Sequence, residues 1–133
     1  STELVAMSEG GAERNGGTHE LDSFPAPENP KASQITTFET DELTALCPFH
    51  FGGPDFYTLV IRYEADEWCL ESRSLKEWLE SFRDKEATAE KIAEEIHWAV
   101  DEEISPERLY VRVEQARRGG IEETVEVGDR ALC

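Results

Sequence analysis

Cys47 and Asp55 are the two side chains whose types and spacing most readily support chemistry. Cys47 lies in a loop that follows a predicted strand, where a thiolate can be presented to a small molecule. Asp55 follows a Gly-Gly-Pro turn that folds the chain back, so its carboxyl group can approach the sulfur and supply or remove a proton. A turn-capping role suits Asp55 equally well, and a lone cysteine is more often inert than nucleophilic. The pair is therefore a candidate nucleophile with a proton-transfer partner.

A zinc site is the rival interpretation, because Cys47 and His50 have the Cys-x-x-His spacing that can place two metal ligands on one side of a turn. The candidates for a third ligand are His19, Cys69, His97 and Cys133. None of them belongs to a second recognisable ligand pair, so we expect no metal. His97 stands beside Trp98 in a predicted helix, where a packed or surface role is more typical.

The charge balance limits the partners of this chain. Thirty acidic side chains against thirteen basic ones give a formal net charge of −17. Such a surface repels phosphate backbones and anionic lipids, and it suits solubility or work at high salt equally well. No apolar stretch approaches the roughly twenty residues that a bilayer span requires, and no secretion signal is recognisable. The three cysteines are an odd number without framework spacing, so we expect reduced thiols and a cytoplasmic protein.

The length of 133 residues suits one compact domain with an irregular beginning. Residues 1–33 carry glycine, proline and scattered acids without an apolar period, which predicts a flexible acidic N-terminal arm before a domain at residues 34–133. Alternation at residues 35–38 predicts an edge strand. Residues 56–63 are rich in aromatic and β-branched side chains and predict a strand, which we expect residues 68–70 to continue within the same sheet.

Two helices and two strands are predicted in the second half of the chain. Apolar residues recur at spacings of three and four within residues 74–83. A second helix begins after Thr88 as its N-cap and ends before Pro106. Strands are predicted at residues 109–113 and 121–127, joined through a Gly-Gly turn. The order of strand, strand, helix, helix, strand, strand favours an α+β fold with both helices on one face of the sheet.

Four motifs carry a family resemblance across residues 36–125. In chain order they are Leu46-Cys47-Pro48 with Gly53-Pro54-Asp55-Phe56, then Glu71-Ser72-Arg73-Ser74-Leu75-Lys76, then Glu90, and finally Arg118-Gly119-Gly120-Ile121. Together they resemble the nucleophile loop, the helix-start signature, the substrate-binding glutamate and the late turn of the NADPH-dependent 7-cyano-7-deazaguanine reductases (QueF). One such motif would be weak evidence, whereas four in the right order within one small domain are strong evidence.

This resemblance implies a tunnelling fold, in which a four-stranded antiparallel sheet backed by two helices assembles into oligomeric rings with active sites at the subunit interfaces. It implies that NADPH reduces the nitrile of 7-cyano-7-deazaguanine to an aminomethyl group, a step of queuosine tRNA-modification biosynthesis. Cys47 would attack the nitrile carbon to form a covalent thioimide, and Asp55 would donate a proton. A thiolate is nucleophilic enough for this addition, and covalent capture divides the reduction into separate hydride transfers.

The resemblance also assigns the binding residues. It implies that Glu90 accepts hydrogen bonds from the N–H donors of the guanine-like ring, and that Glu71 and Ser72 also contact the substrate. The residues that it assigns to cofactor binding are Arg73, Ser74, Lys76 and Arg118. The three cations among them would hold the dinucleotide phosphates against an otherwise acidic surface. Without the resemblance, Glu90 would be interpreted as an acid at a helix start, and Arg73, Lys76 and Arg118 as surface charges.

Three alternatives remain open at this stage. The same fold, cysteine and aspartate also resemble the archaeal amidinotransferases, which convert a nitrile base carried by tRNA into archaeosine. The retained helix-start signature favours hydride transfer, and the acidic surface disfavours tRNA, which would be a partner only in that case. A non-catalytic purine- or pterin-binding module would keep Glu90 but form no adduct on Cys47. A zinc-dependent cyclohydrolase of the same fold would contain bound metal.

Overall fold

The computed structural model describes residues 20–28, 32–49 and 53–133, and they form two antiparallel sheets and two helices. The elements in chain order are β1 (Ser23–Pro25), β2 (Ile35–Leu46), β3 (Pro54–Glu64), β4 (Trp68–Leu70), α1 (Ser72–Glu80), α2 (Ala89–Ile104), β5 (Arg108–Arg118), β6 (Ile121–Gly128) and a 3-10 turn at Arg130–Leu132. The larger sheet has the strand order β2-β3-β5-β6, and β1 pairs with β4 in a separate two-stranded sheet.

The core lies between the larger sheet and the two helices. Alternate residues of β3 point to one face, where Leu59 and Ile61 are buried together with Val113 of β5. The apolar stripe of α2 covers this face, with Ile92 and Ile96 fully buried. The predicted α+β layering of two helices on an antiparallel sheet is confirmed. Neither helix in the described part of the chain is long and apolar enough to cross a membrane.

Two predicted strands differ from those observed. The edge strand predicted at residues 35–38 continues to Leu46. A register shift between Thr40 and Leu43 changes which residues face the core, so the second half of the strand does not continue the alternation of the first half in the sequence. Trp68–Leu70 does not continue the larger sheet but pairs with β1. The Tyr63 hydroxyl accepts a hydrogen bond from the Leu70 amide at 2.9 Å, which fixes β4 outside the larger sheet.

The segment before residue 28 belongs in part to the folded domain, which differs from the predicted arm. Leu21, Asp22 and Ser23 are buried, and the backbone of Asp22 accepts a hydrogen bond from the Glu71 amide at 3.0 Å. The Ser23 hydroxyl donates to Glu103 of α2 at 2.8 Å. These contacts are long-range, so a composition rich in glycine and proline elsewhere in the segment could not reveal them. The rest of the predicted arm, at residues 1–19 and 29–31, lies outside the described residues.

Candidate active site

Backbone hydrogen bonds fix Cys47 beside the start of α2. The Leu46 amide donates to the Lys85 carbonyl at 2.9 Å, and the Ala87 amide donates to the Leu46 carbonyl at 3.1 Å. Residues 85–87 therefore run parallel to the last residue of β2. The helix begins at once with Thr88 as its N-cap, whose hydroxyl accepts from the Lys91 amide at 3.2 Å. The half-buried Cys47 follows directly after this junction, in the position for which a nucleophile loop was predicted.

Asp55 lies on the helix-facing side of β3, where its side chain is only 6% exposed. Arg118, at the end of β5, donates from Nη1 to Oδ1 of this carboxylate and forms an ion pair with it. A register shift after Gln115 separates Arg118 from the regular pairing of the strand, and the Gly-Gly turn behind it has positive φ angles that close the hairpin. The hairpin thus brings a cation to a buried acid on another strand.

Several candidate residues lie near the buried side chain of Tyr57. Its side chain is 2% exposed and lies one alternation beyond Asp55 on the same face of β3. Burial raises the pKa of Tyr57, and the negative charges of Asp55, Glu123, Cys47 and Glu90 raise it further, in that order. Because these Coulomb interactions weaken with distance, the four groups lie in the neighbourhood of one buried phenol. Cys47, Asp55 and Glu90 are three of these four groups.

Glu90 and Glu123 form a carboxyl pair at this site. The backbone N–H of Glu90 lowers the pKa of its own carboxyl group, and a hydrogen bond with Glu123 lowers it further. The same hydrogen bond raises the pKa of Glu123, with burial and the charges of Glu90 and Asp55 adding to the effect. The two shifts are opposite, so Glu123 keeps its proton to a higher pH than Glu90 does.

Sequence reasoning did not single out Glu123, although a signal for it exists. The strand β6 alternates, and Glu123 shares its helix-facing side with Val125 and Val127, which pack against the core. An acidic side chain on an apolar stripe is unusual for a strand that packs under a helix. That position could have marked Glu123 as a functional candidate.

Some residues of the helix-start signature at residues 71–76 form hydrogen bonds within the fold, and others line a groove. The Glu71 carboxylate caps α1 and accepts from the amides of Arg73 at 2.9 Å and Ser74 at 2.7 Å. The buried Ser74 hydroxyl donates to the Glu71 carbonyl at 2.9 Å and accepts from the Asp22 amide at 2.8 Å. Both polar groups are thus occupied within this chain. Arg73 is exposed on the first turn of the helix.

Ser72 and Lys76 line a groove of about 390 Å³ between β2 and α1. Its apolar wall includes Leu43, Leu59 and Leu75. Arg83 adds a second cation, and the lining also contains three acids, Glu39, Glu42 and Glu80. Leu59 lies two residues beyond Tyr57 on the same face of β3, about 7 Å away along the strand. The groove therefore adjoins the Tyr57 site within one subunit. The apolar wall suits a flat ring, and Lys76 and Arg83 are the lining cations that a phosphate group could contact beside the three acids.

The zinc interpretation concerns Cys47 and His50, of which only Cys47 lies within the described residues. No group of three or more His, Cys, Asp and Glu side chains in that part could hold a metal ion. His19 and His50 lie outside the described residues. Cys69 is buried and Cys133 is exposed, and neither forms a disulfide.

Comparison with known proteins gives matches over most of the chain. Residues 54–131 match the family described as QueF-like protein. A relative from Aquifex aeolicus is 35% identical over 108 residues, which cover 81% of this chain and 82% of the relative. A relative from Alkalilimnicola ehrlichii is 39% identical over 106 residues, covering 80% of this chain and 81% of the relative. Both relatives are named NADPH-dependent 7-cyano-7-deazaguanine reductase.

A solved structure also resembles this chain. It is the archaeosine synthase QueF-Like in its apo form, which matches with a TM-score of 0.67 and 20% sequence identity. The match covers 74% of this chain and 95% of that one. At this identity the likeness establishes the fold alone.

Proposed function

Because this chain belongs to the family of NADPH-dependent 7-cyano-7-deazaguanine reductases, as its motifs predict, we propose that it reduces the nitrile of 7-cyano-7-deazaguanine to an aminomethyl group with NADPH. The observation that carries this proposal is the backbone pairing of Leu46 with residues 85–87, which places Cys47 beside the capped first turn of α2 that contains Glu90, while the buried Asp55 faces the helices from β3. A nucleophile, a proton-transfer group and a ring-binding acid then lie within one site. The product would enter queuosine tRNA modification.

In the first step, the Cys47 sulfur adds to the nitrile carbon and the thiol proton passes to the nitrile nitrogen, which gives a neutral thioimide. Asp55, which forms an ion pair with Arg118, accepts the thiol proton in this route and then donates it to the nitrogen. This route balances protons without an external acid. It agrees with the role of proton donor that the sequence predicts for Asp55.

Glu90 selects the substrate in this proposal. Its carboxylate accepts hydrogen bonds from the ring N–H donors of the guanine-like base, a planar pairing that fixes the base relative to Cys47. Glu90 lies in the first turn of α2, which Thr88 caps, and the backbone bridge at Leu46 connects that turn to the cysteine loop. The distance between nucleophile and ring-binding acid is therefore set by backbone structure.

The groove between β2 and α1 is the proposed binding site for NADPH, which supplies hydride when bound. Lys76 would contact its phosphates, and Leu43, Leu59 and Leu75 would pack against a ring. The resemblance assigns Ser72 to the substrate, but Ser72 lines this groove and is proposed as a second phosphate contact. Exposed Arg73 stays a proposed phosphate contact on the same helix. The hydrogen bonds of Ser74 and Glu71 support a role in stabilising the start of α1. Arg118, which was assigned to the cofactor, forms an ion pair with Asp55.

The test is intact-mass measurement after mixing the protein with 7-cyano-7-deazaguanine, followed by addition of NADPH. We expect an adduct that is lost in Cys47→Ala and kept in Cys133→Ser, which removes an exposed thiol. The adduct should disappear as NADPH is oxidised. An adduct that is inert to NADPH but discharged by ammonia would instead indicate an amidinotransferase, and no adduct on the free base would refute the proposed reaction.

The cofactor groove has a separate test. Lys76→Ala should raise the KM for NADPH about tenfold, which corresponds to one lost charge-assisted hydrogen bond, and leave adduct formation unchanged. Arg130→Ala removes an exposed cation that pairs with Glu126 near the C-terminus and serves as the charge-matched control. Equal KM values for both variants would refute the groove as the NADPH site.

We also propose that the protein is a homo-oligomer with active sites at the subunit interfaces. Large apolar side chains are exposed near the site end of the sheet, namely Phe49 (65%), Phe56 (55%) and Ile121 (73%). Solvent contact of three such side chains is unfavourable, and burial against another subunit would remove it. Sedimentation velocity should give an oligomer that Phe56→Asp weakens together with turnover. A fully active monomer would contradict the proposal.

A further inference from the structure

Arg83, the second cation at the groove between β2 and α1, has no role in the proposed reaction. We propose that Arg83 binds the pyrophosphate of NADPH and that Lys76 binds its 2′-phosphate, so that the nicotinamide end of the cofactor lies toward Cys47. This inference rests on the proposed function, because it takes the groove as the cofactor site. It adds a cofactor-binding residue and identifies the residue that distinguishes NADPH from NADH, which lacks the 2′-phosphate.

Cations without an acid partner are concentrated at this groove. Eleven of the thirteen Lys and Arg residues lie in the described part of the chain, where five form ion pairs with acids and Arg62 donates to the Leu132 carbonyl. The cations whose side chains form no such bond among the described residues are Arg73, Lys76, Arg83, Lys91 and Arg112. Two of these five line the groove, and a third is on the first turn of α1. In a chain with thirty acids, neighbouring cations without acid partners suit an anionic ligand.

The two walls of the groove offer different partners to a dinucleotide. Lys76 and Arg83 belong to the helix wall, where they can donate to phosphate oxygens, and Glu80 lies between them in the chain, so they form two separate phosphate positions. Glu39 and Glu42 belong to the β2 wall, and carboxylates accept hydrogen bonds from ribose hydroxyl groups. These acids repel a simple phosphate ion. A cofactor that brings ribose and flat rings together with its phosphates therefore fits the lining better than a free anion does.

Packing fixes the backbone of Arg83 just after α1. The helix ends at Glu80, and in the turn that follows the Arg83 amide donates to the Glu80 carbonyl at 3.2 Å. The neighbouring Phe82 is 1% exposed, and its ring packs edge-on against Trp78 with 5.1 Å between the ring centroids. Because Phe82 is buried in the core, the turn is anchored and presents the exposed Arg83 at the groove.

Arg83 stands at the end of the groove that is nearer to Cys47. Two residues after Arg83, the Lys85 carbonyl accepts a hydrogen bond from the Leu46 amide at 2.9 Å, and Cys47 follows Leu46 directly. Lys76 precedes Arg83 by seven residues, which corresponds to about 10 Å along a helix. The two cations are therefore at different distances from the nucleophile.

The start of α1 lies at the opposite end of the groove. Phe38 of the groove wall stacks on Tyr63 with 6.4 Å between the ring centroids. The Tyr63 hydroxyl accepts a hydrogen bond from the Leu70 amide, and α1 begins two residues later. The helix therefore runs along β2 toward the cysteine loop.

The order of groups in NADPH then assigns the two cations. The pyrophosphate lies between the nicotinamide ring and the ribose that carries the 2′-phosphate, and hydride is needed at the carbon bound to Cys47. Arg83, which is nearer to Cys47, is the pyrophosphate contact, and its planar guanidinium group suits two phosphate oxygens. Lys76, farther from Cys47, is the contact of the 2′-phosphate, with Arg73 three residues before it on the same helix.

The first test measures the binding of NADP+ and NAD+ by calorimetry, without turnover. Arg83→Ala should raise the Kd of both about tenfold, as expected for one lost charge-assisted hydrogen bond, because both contain the pyrophosphate. Lys76→Ala should raise the Kd of NADP+ about tenfold and leave that of NAD+ unchanged. Arg83→Lys should recover part of the affinity. Arg130→Ala removes an exposed cation that pairs with Glu126 and should bind both cofactors as wild type does.

Phosphorus NMR of bound NADP+ is the second test, because the 2′-phosphate and the pyrophosphate give separate signals. Arg83→Ala should shift the pyrophosphate signals, and Lys76→Ala should shift the 2′-phosphate signal. The opposite pattern would overturn the proposed direction of the cofactor, and wild-type affinity in Arg83→Ala would overturn the role of Arg83. Urea unfolding should be nearly the same in both variants and wild type, since both side chains are exposed.

Failure of this inference can be told apart from failure of the proposed reaction. If NADP+ binds with the expected pattern but the protein forms no adduct with 7-cyano-7-deazaguanine, the reductase function fails and the assignment of Arg83 and Lys76 stands. If the adduct forms and is consumed with NADPH while neither substitution changes NADP+ binding, the reaction stands and the assignment is wrong.

Discussion

Arg118 and Asp55, which stand 63 residues apart in the sequence, form an ion pair that closes one side of the candidate site. The carboxylate is almost completely buried, whereas 44% of the Arg118 side chain remains exposed. A buried charge is costly without a partner, and the hairpin between β5 and β6 supplies the guanidinium group that pairs with Asp55. The sequence assigns Arg118 to cofactor phosphates, but its contact supports a role beside the reacting atoms.

Arg118→Ala should therefore affect the chemical step. Asp55 would lose the cation that balances its charge, and we expect kcat to fall about a hundredfold, at the lower end of what proton-transfer catalysis contributes. Arg118→Lys should recover part of the activity. Arg117→Ala is the control, since Arg117 is exposed and contacts Glu122 at 3.4 Å. A rise in the KM for NADPH at constant kcat would instead support the phosphate-binding role.

Removal of the hydroxyl group should lower stability at Ser74 and weaken NADPH binding at Ser72. Ser74→Ala removes the buried hydrogen bond from the Asp22 amide to the Ser74 hydroxyl and should lower the free energy of unfolding by about 1 to 3 kcal/mol. Ser72→Ala changes an exposed side chain and should alter stability by no more than about 0.5 kcal/mol while raising the KM for NADPH. Urea unfolding and NADPH kinetics on both variants measure the two effects. A higher KM in Ser74→Ala at full stability would contradict this division.

Local signals predicted the helices well. The N-cap Thr88 and the stop at Pro106 bracket α2, which spans Ala89–Ile104. The first helix was predicted at residues 74–83 but spans Ser72–Glu80. Its N-cap is Glu71, a less usual capping residue, and its apolar period continues past the last turn because Phe82 is buried beyond the helix. Capping and periodicity act over a few residues, so the sequence displays them directly.

Long-range contacts could not be predicted from such signals. The pairing of β1 with β4 joins residues about 45 positions apart, and neither three-residue strand has a pattern of its own. The Arg118–Asp55 ion pair likewise depends on the register of three strands. Motif resemblance pointed to Cys47 and Glu90, and the backbone bonds of Leu46 place Cys47 beside the helix start that contains Glu90. It gave no indication of Glu123, whose position on the helix-facing side depends on the register of the sheet.

The hydrogen bond from Tyr110 to Glu126 should make stability depend on pH. The Tyr110 hydroxyl donates to Oε2 of Glu126 at 2.6 Å, and with the Cys133 thiol it lowers the pKa of Glu126 below its ordinary value of 4.5. Because the pKa of Glu126 is lower in the folded state, its contribution to the free energy of unfolding is complete above the ordinary pKa. That contribution is lost as the pH falls through the lowered pKa of the folded state.

Tyr110→Phe should consequently destabilise the protein at neutral pH, and the difference from wild type should narrow in acid. Urea midpoints at neutral pH and below pH 4.5 measure the change. Cys133→Ser is the matched variant, since a serine hydroxyl keeps a donor near Glu126. A Tyr110→Phe difference of constant size across this range would show that ionisation of Glu126 is not involved.

Gly128 is the glycine whose replacement should be most harmful among those that the structure describes. Its φ of +102° is unfavourable for other residues, and a Cβ atom there would overlap the Leu109 carbonyl oxygen and approach His97 Nε2 to 2.9 Å. That carbonyl also accepts a hydrogen bond from the Asp129 amide at 2.8 Å, so it cannot move freely. Gly128→Ala should therefore cost about 3 kcal/mol or more of unfolding free energy.

Gly119 provides the matched control for this prediction. It also has a positive φ, of +59°, but a Cβ atom at Gly119 would meet nothing within 4 Å. Gly119→Ala should therefore cost only the backbone strain of about 1 to 2 kcal/mol. Urea unfolding of both variants separates the cost of backbone strain from the cost of atomic overlap. Adding His97→Ala to Gly128→Ala should recover only a small part of the lost unfolding free energy, because the overlap with the Leu109 carbonyl remains. Equal losses in the two glycine variants would show that the contact between Gly128 and Leu109 is not restrictive.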